Sequence, residues 1–100
     1  MTIALHSRSG LKATGRAFGR EAANAISRAI LDCPTERRTG EYVNDLTARA
    51  LQAIDQTAGG YRNANIPAEW IRRFRSAAMR TLRNEIDAMA QVAQAAGRPN

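Results

Sequence analysis

Alanine is the feature that most constrains this chain: 20 of its 100 residues are Ala, so 24 of the 44 apolar residues are left to supply large side chains. The core that so few large groups can build is thin. Ala favours helices, and the chain has three Pro, seven Gly and few β-branched residues, so an all-α fold is expected and a sheet protein is not. One hundred residues allow a single domain, spanning 1–100.

Apolar residues recur at helical spacing in three stretches. Leu11, Phe18, Ala22, Ala25, Ile26, Ala29 and Cys33 predict a first helix over Gly10 to Asp32, closed by Pro34. Val43, Leu46, Ala50 and Ile54 predict a second from about Gly40 to Ala58, with Thr39 as N-cap and Gly59-Gly60 as the stop. Tyr61 to Ile66 then reads as a loop, and Pro67 opens a third helix that runs to Gly97. At about 1.5 Å per residue the third helix is roughly 45 Å long and outruns the other two. The expected architecture is a small bundle of three main helices with a long C-terminal helix. Leu82, Ile86, Met89, Ala93 and Ala96 follow four-three spacing, which predicts an exposed seam between two copies and hence a homodimer.

Charge is unevenly spread. Net charge is +6, with +4 in residues 1–31, −2 in 32–61, +5 in 62–84 and −1 in 85–100. Of the 15 basic residues 14 are Arg, the side chain that binds phosphate or carboxylate bidentately. Several have a carboxylate at i±3 or i±4: Arg28 with Asp32, Arg49 with Asp45, Arg83 with Asp87, Arg37 and Arg38 with Glu41, and Arg72 and Arg73 with Glu69. Arg8, Lys12, Arg16 and Arg20 form an unbroken i,i+4 ladder with no such neighbour, and Arg75 and Arg80 are likewise alone in sequence. Cations about 6 Å apart along a helix repel one another unless something negative faces them. Two candidates follow from the sequence: the acidic second helix, through Glu41, Asp45 and Asp55, or an external phosphate backbone.

Gly15-Arg16-Ala17-Phe18-Gly19 holds a small-xxx-small pair, which marks a tight helix crossing or a soft first turn of the first helix and lacks the elements of a phosphate-binding loop. His6 and Cys33 are single residues of their kinds, and no Cys/His set has zinc-ligand spacing, so neither a cofactor nor a metal is expected and no enzyme class is supported. The 61–67 connection is too long for a helix-turn-helix, and Met1 to Arg8 is too short of alternation for a ribbon-helix-helix strand. The N-terminal residues lack the apolar run of a secretion signal and no segment has the length of a membrane span, so a cytoplasmic protein is expected.

The sequence thus predicts a non-catalytic binding protein whose working surface comprises Arg8, Lys12, Arg16 and Arg20 with Arg72, Arg73, Arg80 and Arg83, set against nucleic-acid phosphates, DNA or RNA. A phage or mobile-element inhibitor or adaptor, an anti-CRISPR-like antagonist docking on an acidic protein surface, is the rival expectation. In that case Trp70 and Tyr61 would matter as much as the arginines, while Leu82, Ile86 and Met89 are the possible interface residues of the seam between two copies.

Overall fold

A computed structural model describes residues 8–97, with side chains described for 10–92. Helix α1 spans Arg8–Asp32, α2 Gly40–Asn63 and α3 Ala68–Gly97, with a single 3-10 turn at Thr35–Arg37. The expected all-helical bundle of three helices with the longest at the C-terminus is what forms, and it contains no strand among the described residues.

Local chemistry accounts for the helix ends. Pro34 follows the end of α1, and Arg38 reaches back over that end: Nε donates to the Cys33 carbonyl at 2.9 Å and Nη2 to the Leu31 carbonyl at 3.1 Å. These acceptors lie at a terminus whose carbonyls have no partner within the helix. Thr39 caps α2 as expected, its hydroxyl accepting from the Tyr42 amide at 3.2 Å. The Gly59-Gly60 stop is not used. α2 continues one turn further to Asn63, neither glycine has positive φ, and the left-handed residue that turns the chain is Asn65 at φ 62°. The extra turn is held by packing, since Tyr61 meets Phe74 edge to face with ring centroids 5.1 Å apart. Pro67 precedes α3 and its carbonyl accepts from Trp70 and Ile71.

The core is formed by Leu11, Ala23 and Ile26 of α1, Ile54 and Ala58 of α2, and Ile71, Phe74, Ala78 and Leu82 of α3. Phe74 lies at its centre, fully buried between Phe18 and Tyr61. α1 and α3 provide the main interface. Gly15 faces Phe74 and Ala77, and Gly19 faces Ala78, Thr81 and Leu82, so four residues forward on α1 match four forward on α3 and the two helices run parallel. A Cβ on either glycine would overlap a backbone carbonyl of α3 and come within 3.0 Å of the Ala77 or Thr81 Cβ. The small-xxx-small pair is therefore the crossing point, and close backbone approach takes the place of large side chains. α2 runs antiparallel to both, carrying Tyr42 to Ala29 of α1 and Asp55 to Arg75 of α3.

This register corrects two expectations. α1 starts level with the first turns of α3 and follows it for most of its length, so Ile86 and Met89 pack against the core instead of projecting. Leu82, expected on an exposed seam, is 1% exposed inside the subunit. The side chains of Ala93 and Ala96 lie outside the described residues.

Candidate polyanion-binding face

Parallel α1 and α3, brought close at Gly15 and Gly19, set Lys12 of α1 against a polar row on α3, while Arg16 and Arg20 continue along α1 outside the groove. On α1 the row is Lys12, Arg16 and Arg20, all exposed and about 6 Å apart in rise. The α3 row runs through Arg72, Arg73, Ser76 and Arg80. The register that pairs Gly15 with Phe74 to Ala77 and Gly19 with Ala78 to Leu82 sets Lys12 level with Arg72 and Arg73, Arg16 with Ser76, and Arg20 with Arg80. Between the rows lies a shallow groove of about 400 Å³ that begins at Lys12 and is lined on α3 by Glu69, Arg72, Arg73, Ser76, Ala77 and Arg80.

The α2 carboxylates do not answer this charge. At 3.6 residues per turn the Lys12-Arg16-Arg20 row sits roughly 160° around α1 from Phe18, Ala22 and Ala25, the residues that face α2. Asp45 pairs instead with Arg49 at 3.1 Å, and Asp55 with Arg75 at 2.8 Å. Arg75, alone in sequence, thus has a partner 20 residues away that no local spacing reveals. Among the described residues no carboxylate lies within ion-pair distance of Lys12, Arg16, Arg20, Arg72 or Arg80. The exception on this face is Arg73, whose Nη2 meets Glu69 Oε1 at 3.4 Å while its Nε is buried without a hydrogen-bond partner.

Other predicted site residues fall elsewhere. The side chain of Arg8, the first rung of the ladder, lies outside the described residues, as does His6. Arg83 turns out of the Lys12 groove and lines neighbouring depressions with Met79 and Asn84 on one side and Thr47 and Asp87 on the other. Trp70 and Tyr61 are half-buried against the core, which leaves neither as a protruding anchor. Ala77 forms groove floor that a search for charge overlooks; the signal for it was the glycine pair that it faces.

Among the described residues no group of three or more His, Cys, Asp or Glu side chains could hold a metal ion, and no helix is long and apolar enough to cross a membrane. No protein-family model matches the chain, and neither a curated protein nor a solved structure does.

Proposed function

We propose that the chain is a non-catalytic binding protein that grips nucleic acid by its phosphates through the α1/α3 seam. The observation that carries this reading is Lys12 set across one groove from Arg72 and Arg80, with Arg16 and Arg20 exposed further along α1 and none of the five within ion-pair distance of a carboxylate among the described residues. Helix backbones hold these charges near one another at a cost that only a counter-charge offsets, and a phosphate backbone supplies it at comparable spacing. Bidentate Arg contacts fix position without reading bases, so little sequence preference is expected.

The test is binding of labelled DNA and RNA across about 50 to 300 mM salt, beside the double variant Lys12→Glu with Arg16→Glu. Binding that falls linearly on log axes and collapses in the folded double variant supports the reading. A protein that binds no nucleic acid at the lowest salt, yet is captured by an acidic protein through these same arginines, would move it to the inhibitor class.

The homodimer belongs here too, on a different surface from the one the sequence pointed to. An apolar groove of about 400 Å³ separates α1 from α2, lined by Phe18, Ala22, Ile26, Leu46, Ala50 and Ala53, with Glu21 on one bank and Arg49 on the other. A two-fold axis across this groove would set Glu21 of one copy beside Arg49 of the next, next to the Asp45 that Arg49 already meets in its own copy. Sedimentation equilibrium tests it: a dimer that Leu46→Glu converts to a folded monomer supports this surface, and a wild-type monomer at high concentration rejects it.

A further inference from the structure

Resting on the phosphate reading above, we propose that the α1/α3 seam is built for double-stranded nucleic acid and disfavours single strands. Proteins that track single strands combine charge with aromatic platforms, each stacked base contributing about 1–3 kcal/mol. This chain has five aromatic residues, and the fold spends all of them elsewhere. Phe18, Tyr61 and Phe74 form one edge-to-face cluster. Tyr42 meets α1 through the Ala29 carbonyl, and Trp70 packs on the core. Between Lys12 and the α3 arginines the floor is Ser76 and Ala77, which offer a hydroxyl and a methyl and no π-face.

What remains at the seam is charge held at fixed spacing by two helices locked together at Gly15 and Gly19. A rigid array suits a stiff ligand, because a flexible strand loses conformational freedom on being laid along it and no stacking compensates. Charge density points the same way: a duplex carries a phosphate charge about every 1.7 Å of axis, twice what either of its strands contributes alone. Counterion release adds about 0.2 of a log unit per contact in favour of duplex for each tenfold drop in salt below 1 M. With Lys12, Arg16, Arg20, Arg72 and Arg80 as contacts and equal affinity for the two forms at about 1 M, the duplex preference at about 0.1 M is about tenfold.

The experiment is an anisotropy competition between a mixed-sequence DNA duplex of about 30 base pairs and one of its own strands, chosen free of hairpins, at about 0.1 M salt. Wild-type protein and Arg62→Glu, a charge reversal on α2 away from the seam, are run in parallel. The expected result is a Kd for duplex about tenfold lower than for the strand, retained in Arg62→Glu. Equal or tighter binding to the single strand would overturn this inference and leave the phosphate reading in place. Binding to neither would overturn both.

Discussion

Gly19 of α1 lies so close to the Ala78 carbonyl of α3 that a Cβ added there would overlap it. The atoms in the way are backbone and the Thr81 Cβ, so no side-chain rotation relieves the overlap. Alanine gains about 1 kcal/mol over glycine in helix propensity, yet overpacking of this kind costs about 1–3 kcal/mol and requires the helices to separate. Gly19→Ala is expected to lower the urea midpoint without changing helix content. A raised midpoint would mean that the crossing is looser than described.

Gly59 and Gly60 supply the opposite case. Both lie within α2 at ordinary negative φ, and a Cβ on either would meet nothing within 4 Å. Gly59→Ala and Gly60→Ala are each expected to stabilise the protein by about 0.5–1 kcal/mol, through propensity and a less mobile unfolded chain. Thermal denaturation reads this directly, and a fall in Tm for either variant would place the helix end at the glycines after all.

These two pairs of glycines show how far the sequence could be read. Gly15 and Gly19 stood four apart within a stretch of apolar periodicity, and the tight crossing they signalled is present. Gly59-Gly60 carried the usual stop signal, but Tyr61 packing on Phe74 overrode it, and that contact joins residues 13 apart in sequence. The charge reading divides in the same way. Arg49 with Asp45 and Arg73 with Glu69 are local pairs that spacing predicts, whereas Arg75 with Asp55 depends on how α2 lies on α3. Four-three spacing at Leu82, Ile86 and Met89 was legible as an apolar stripe, but the stripe's partner is the bundle's own core because α1 runs parallel to α3 almost to its end.

Arg38 closes the C-terminus of α1 by donating to the Leu31 and Cys33 carbonyls. Arg38→Ala is expected to cost about 0.5–1.5 kcal/mol, the range of an ordinary hydrogen-bonded cap. Faster amide exchange confined to the last turn of α1 would locate the effect, and unchanged exchange there would remove the capping role.

The two rows of the seam are expected to act as independent phosphate contacts. Lys12→Gln and Arg80→Gln should each flatten the log K against log salt slope by about 0.9, and the double variant by about 1.8. Titrations on duplex DNA at four salt concentrations measure this. A slope that either single variant leaves unchanged would take that side chain off the binding surface.

Because α1 and α3 run parallel and α2 opposes them, one helix dipole is left uncancelled, and its positive pole lies at the end where Lys12 stands level with Arg72 and Arg73. No acidic residue occupies the first turn of α1, Glu69 is the one acid in the first turn of α3 among several arginines, no basic residue occupies the last turn of α1 or α3, and Glu85 and Asp87 sit toward the opposite end. Backbone and side chains therefore polarise the molecule in one sense along its 52 Å length. In an external field such a body turns as well as drifts, and the end that carries Lys12, Arg72 and Arg73 leads toward negative charge.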